Sequence, residues 1–380
     1  MHEHKHNQCR RKVKHRKNVM KLIIFCITVG ISLMFIYYQN LRKEIDARQK
    51  WLETVLTGEK KWILENQGPE GEFYMNGSKA GDVNPYFACM AALGLLAETK
   101  NCPITETEKK AVGRYLDWHT GILLETDGKM GIYRKKSGKL IYKEKADSED
   151  GYLGMYLFLM GKYLEKTEST DLPEYWKKGI SLALKKIQSL MQDGITQVSE
   201  ENTTVYLMDN LEVWKGLYEL EHAGLKDVQA IREMRNKLQA QIEKLFWDDA
   251  NQRWRIIENS DLYHQKEFYP DGVAQIYPLI YEFPVKEKKK QKILYDQFTE
   301  KFQWQKLNKK RNGFLWAMTG MAAAQMGDIN NLLEMIRNYE AEYCENRKYP
   351  LYTGEAGWIC MECEKLYSLY ERKIKTGFLV

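Results

Sequence analysis

Apolar positions recur with helical spacing along most of the chain, in two alternating forms. One form is charged on one face and apolar on the other: residues of about 48–66, 105–120, 171–192, 225–246, 287–303 and 329–346. Their starts carry capping signals, such as Thr105 with Glu108, and Asp171 with Pro173 and Glu174. The other form is apolar on nearly all sides: residues of about 84–98, 150–165, 205–221, 270–283, 313–327 and 355–370. A helix apolar all round is predicted to be buried on all sides, and an amphipathic one to have a wet face.

Six inner and six outer helices in strict alternation predict an all-α fold, an (α/α)6 toroid of six helical hairpins. An open solenoid would need polar capping repeats, and none is evident. Connections from inner to outer helix are short, such as "HAG" and "MGD". Those from outer to inner helix are long, such as "TDGKMGIYRKKSGKLIYKEKADSE". The long loops therefore gather at one mouth, above the N-terminal ends of the inner helices, where function is expected.

The first 40 residues stand apart. Residues 22–38, "LIIFCITVGISLMFIYY", carry no charge and follow a tail with eight Lys or Arg. They sit at the short end of a membrane span. No small-residue cleavage site follows, so the segment is read as an uncleaved signal anchor. The basic residues before it place residues 1–21 in the cytoplasm, the anchor at 22–40, and residues 41–380 outside the cytoplasmic membrane. The tail carries the charge: outside it, the formal +6 of the chain gives way to 50 basic and 51 acidic residues. That balance leaves no footprint for nucleic acid.

Five of the seven cysteines belong to the exported part, an odd number that argues against a disulfide framework. Cys360 and Cys363 have the spacing of a zinc pair, but they lie in a helical apolar pattern with no second ligand pair, and they are read as buried thiols. No loop has the spacing of a calcium-binding EF-hand. Neither a metal nor a cofactor is expected.

Acids recur at corresponding positions of the inner helices: Asp82, then Asp147, Glu149 and Asp150, then Asp209, Asp271 and Glu355. The fifth inner helix has Asn312 and Trp316 instead. Each acid taken alone reads as a helix cap or a first-turn residue, and Asp147 with Asp150 resembles a capping box. Asp209 and Asn210 lie deeper in an apolar helix, where neither is a good helix former and a carboxylate needs a partner. A closed ring would turn these acids toward one another, and clustered carboxyls split their pKa values. Asp82, Asp147, Asp150, Asp209 and Asp271 form the pool for an acid and a base, with Glu149 solvated. Tyr86, Tyr152, Tyr206, Trp254, Tyr269, Trp316, Glu355 and Trp358 are candidate sugar contacts, and Trp254, in the loop "NQRWRII", is hardest to read as core.

With these motifs, residues of about 45–372 resemble the six-hairpin glycosidase superfamily. "ADSEDGYLGMYLFLMGKYL" is similar to the segment of glycoside hydrolase family 8 in which an Asp-rich turn opens an inner helix. The resemblance implies that Asp147 or Asp150 positions the sugar at the cleavage point. Family 8 places its acid Glu at the first inner helix, where this chain has "GDVNPYF", so Asp82 would have to serve. "MDNLEVWKGLYEL" and "GEAGW" are also similar to unsaturated uronyl hydrolases. The expected activity is a membrane-anchored, inverting glycoside hydrolase acting on a carbohydrate polymer. One alternative is a non-catalytic toroid that binds glycan within polysaccharide synthesis machinery, a setting the resemblance implies. Another is a uronic-acid lyase or epimerase using His264, Tyr269, Arg253 and Arg255.

Overall fold

The computed structural model describes residues 2–77, 81–136, 139–169, 172–258, 267–307, 313–347 and 349–376, with side chains from Met20 to Lys375. Asp171, His264 and Asn312 lie outside the described residues, as do the side chains of the basic tail. The chain divides into two compact units, Met1–Leu52 with Arg372–Val380, and Glu53–Glu371.

The smaller unit holds most of helix α1 (His2–Glu65). Leu22, Phe25, Leu33 and Phe35 are each more than 60% exposed. The helix is long and apolar enough to cross a membrane, a test that a signal sequence also meets.

The larger unit is the (α/α)6 toroid. The end of α1 is followed by α2 (Pro85–Leu95), α3 (Glu106–Glu125), α4 (Glu149–Thr167), α5 (Glu174–Leu190), α6 (Leu207–His222) and α7 (Gln229–Phe246). Then come α8 (Val273–Ile280), α9 (Lys288–Phe302), α10 (Thr319–Met326), α11 (Ile329–Tyr339) and α12 (Thr353–Thr376). The even-numbered helices form the inner ring. Leu93, Leu157, Leu217 and Ile276 are buried on them, and each such side chain contributes about 1.5–3 kcal/mol. Outer helices start as their sequences direct. The Thr105 hydroxyl accepts from the Glu108 amide while Glu108 accepts from the Thr105 amide. At α5 the cap position falls on Pro173, which makes no side-chain cap bond.

Close approach closes the ring. A Cβ on Gly94 of α2 would collide with the backbone of Gly357 on α12, so the first and last inner helices touch. Gly154 of α4 and Gly216 of α6 allow the same contact. α6 and α12 are the third and sixth inner helices of a ring of six, so they stand opposite each other.

Short strands appear that the helical pattern did not foretell, all in the outer-to-inner connections. β1 (Asp82–Val83), β2 (Gly131–Lys136) and β3 (Lys139–Lys145) form an antiparallel sheet in that order. β4 (Met191–Gln192) pairs with β5 (Ile195–Thr196), and β6 (Trp247–Asp248) with β7 (Arg253–Trp254). A long connection that returns to the mouth satisfies its backbone groups by pairing with itself or its neighbour.

At the C-terminal ends of the inner helices, charges are matched. Glu282 accepts from Lys215 at 2.8 Å and Lys365 at 2.6 Å, joining α6 and α12 to the end of α8. Burial raises its carboxyl, but the two lysines overcome burial and bring it down to about 2.

Candidate active site

At the opposite ends of the inner helices lies a cavity of about 390 Å³. Its lining includes Asp147, Asp209, Glu212 and Glu355, together with Tyr86, Tyr152, Tyr269, Tyr277, Trp316 and Trp358. Among the described residues that line it there is no Lys, Arg or His. The contrast with Glu282 sets the chemistry. There, the half-buried Glu282 meets two lysines and stays ionised. Here Glu212 meets tyrosine hydroxyls and Glu355 backbone amides, with no cation beside either, so burial wins and both carboxyls rise.

Glu212 was not foreseen. It sits one turn beyond Asp209 on α6, on the same face, and is almost fully buried. Tyr86 of α2 donates to its Oε1, as do Tyr277 at 2.6 Å and Tyr281 at 3.3 Å. Burial raises its carboxyl and the tyrosine donors oppose that rise, leaving it at about 8. With Oε1 occupied by donors, the proton falls to Oε2, which packs over Gly151. A sequence signal existed. If α6 is apolar all round, a carboxyl in its middle must be buried, and the reasoning applied to Asp209 covers Glu212 as well.

Glu355 lies in the first turn of α12 and is also buried. It accepts from the amides of Ala317 at 2.8 Å and Trp316 at 3.3 Å. Burial pushes its carboxyl up to about 7 against those amides. The grip holds the segment before α10, in which Trp316 adopts a left-handed backbone with φ of 60°.

The Asp-rich turn resolves differently from a capping box on Asp147. Ser148 caps α4: its hydroxyl accepts from the Gly151 amide at 3.1 Å and donates to Asp150 at 2.8 Å. Asp147 is left exposed at the cavity. Glu149 is partly buried and pairs with Lys145 at 3.4 Å. Asp150 is buried behind the lining, where its Oδ2 lies 2.7 Å from the Thr196 hydroxyl. That hydroxyl also lies 2.8 Å from Asn210 Oδ1. Thr196 has one proton for two acceptors, so when it donates to Asn210 the other contact is a hydrogen bond only if Asp150 is protonated. Burial pushes Asp150 up to about 6, and the hydroxyls of Thr196 and Ser148 oppose it. Burial, then Asp150 and Glu212, hold Asp209 well above the usual carboxylate range.

The remaining candidates stand elsewhere. Asp82, on β1, pairs with Arg134 at 2.6 Å and Lys143 at 2.9 Å, which hold its carboxyl low, and it is not in the cavity lining. Asp271 is buried before α8 and is not in the lining. Tyr206 occupies the cap position of α6 outside the lining. Trp254 is core after all: it is 3% exposed and donates to Gln291 at 2.9 Å, because β7 folds its loop back onto α8 and α9. Arg255 pairs with Asp248 at 3.6 Å, and neither it nor Arg253 lines the cavity. Cys360 and Cys363 are buried thiols in α12.

No family model matches the sequence, and no curated protein is similar to it in sequence. Solved structures are similar in fold. A wild-type glycosidase matches with a TM-score of 0.56 at 11% identity, over 87% of this chain and 98% of its own. An alpha-amylase from Clostridium perfringens matches at 0.52 and 13%, over 83% and 97%. A D-mannose isomerase matches at 0.56 and 11%, over 84% and 97%. At this identity the likeness shows the fold, and an isomerase among the matches shows that the fold alone does not choose the reaction. The chain has the (α/α)6 fold of six-hairpin glycosidases.

Proposed function

We propose that the protein is a glycoside hydrolase, anchored in the cytoplasmic membrane with the toroid outside, that cleaves a polysaccharide or oligosaccharide with inversion. The observation that carries this reading is that Glu212 and Glu355 line one cavity from opposed helices. Inversion needs an acid on one side of the glycosidic bond and a base on the other, with room for water between them. Glu212, held protonated at neutral pH, gives its proton to the leaving oxygen. Glu355 takes a proton from the water that attacks the anomeric carbon. The bond to the leaving oxygen breaks as the bond to water forms. Asp209 and Asp147, beside Glu212, bind sugar hydroxyls and keep the acid's proton in place; Asp150 supports them from behind.

A lyase or epimerase acting on uronates would want a cation at the sugar carboxylate. The described lining offers none. Involvement in polysaccharide synthesis rests on the sequence resemblance alone.

The test is to expose defined polysaccharides to the full chain and follow new reducing ends, with proton NMR of the first product. Release with inverted anomeric configuration, lost in Glu212→Gln and in Glu355→Gln, is the expected outcome. Retained configuration, or full activity in both variants, rejects the assignment.

A further inference from the structure

A cavity of about 390 Å³ is at the small end for ligand sites, so a polymer must continue beyond it. One wall does continue. Tyr269 lies against Trp316, with ring centres 4.8 Å apart, and Trp316 lies 5.9 Å from Phe314. Phe314 stacks on Phe87 at 5.4 Å, with planes 16° apart, and meets Tyr352 at 5.7 Å. Tyr352 reaches Tyr349 at 6.2 Å.

Core packing does not explain this row. The residues next to it in sequence are core: Leu315 and Leu351 are 3% and 2% exposed. Phe87, Phe314 and Tyr352 are only half-buried, and Tyr349 is 68% exposed, more than any other large apolar side chain described in the toroid. A connected run of half-buried rings ending in an exposed one, continuous with a binding cavity, marks a ligand surface.

Resting on the hydrolase reading, we propose that the run from Trp316 through Phe314 and Tyr352 to Tyr349 is a track for further sugar units. Its ligand is an uncharged chain of pyranoses with equatorial hydroxyls. Such rings present flat C–H faces to an aromatic ring, whereas axial groups would hold the two apart. The carboxyl-lined cavity at the inner end, without a described cation, disfavours uronates.

The test uses Glu212→Gln full chain in detergent, so that binding is read without turnover. Calorimetry compares cello-oligosaccharides from disaccharide to hexasaccharide with oligogalacturonides. Affinity is expected to rise with length for the neutral series. Adding Tyr349→Ala should weaken the hexasaccharide by about threefold to tenfold, the worth of one aromatic contact. Tyr175→Ala, at an exposed tyrosine on α5, should change nothing. Tyr349 is exposed, so its truncation leaves the core intact. No binding of neutral oligomers, tighter binding of the uronates, or a length dependence that Tyr349→Ala leaves unchanged overturns the proposal. Turnover is measured separately in the wild type, so a failed hydrolase assignment shows itself independently of the track.

Discussion

Tyr277 donates its hydroxyl hydrogen to Glu212 Oε1 at 2.6 Å, across the interface of α8 and α6. A donor to a carboxyl oxygen favours the anion, so this bond holds the Glu212 pKa below what burial alone would give. Tyr277→Phe removes the donor without changing the ring. The alkaline limb of the pH–rate profile is therefore expected to move upward by on the order of one unit, the worth of a hydrogen bond to a charged group. Measurement of the rate against pH in both proteins checks it; a downward shift contradicts the assignment of Glu212 as the acid.

The wild-type profile has its own expected form. Glu355 must be ionised and lies at about 7; Glu212 must be protonated and lies at about 8. The rate should rise as pH approaches the first value, fall beyond the second, and peak between them. Each Gln variant should lower the rate by at least about 10²-fold. Thermal unfolding of the variants separates lost chemistry from lost folding.

Gly151 in the first turn of α4 leaves space for the other oxygen of Glu212. A Cβ there would stand 2.6 Å from Oε2. Gly151→Ala should displace the proton-bearing oxygen and reduce the rate by about 10²-fold, as expected when a reacting group moves by about 1 Å. The same Cβ would stand 2.9 Å from the Ser148 hydroxyl that caps α4, so thermal unfolding is measured beside the rate to separate lost chemistry from lost folding. A rate equal to wild type would place the proton donor elsewhere.

The helix pattern made the toroid legible because burial on all sides leaves a signature no surface helix has. "NPYFACMAALGLLAE" has no wet face, and α2 has none. The site was harder to read. Asp147 was singled out by its place at a helix start and Asp209 by its poor fit to a helix interior, and both line the cavity. Glu212 was missed because Glu suits a helix interior and gives no propensity conflict, unlike Asp209. Asp82 looked equivalent to the other acids in its position along the chain. Its partners Arg134 and Lys143 come from a hairpin 52 and 61 residues later, a long-range contact the local pattern does not contain. Trp254 looked exposed because its loop is polar, and only the pairing of β6 with β7 turns it inward.

The same split between the two ends of the toroid fixes how stability depends on pH. The folded-state pKa of Glu212 is raised from 4.5 to about 8, so its contribution is fully present below about 4.5 and is lost as pH rises through about 8. Glu355 behaves alike up to about 7. Glu282 is lowered from 4.5 to about 2, so its contribution is present above about 4.5 and is lost as pH falls through about 2. The melting temperature should therefore be highest near about pH 5 and decline toward about pH 9. Glu212→Gln carries no proton to lose, so it should flatten that alkaline decline by on the order of a few kcal/mol, while leaving the acid side unchanged. Lys365→Met should raise the Glu282 pKa back toward 4.5, so it should flatten the acid-side loss and lower stability wherever Glu282 is ionised. Thermal scans of the three proteins across this range check both signs. An alkaline decline as steep in Glu212→Gln as in the wild type would show that the buried proton sits elsewhere.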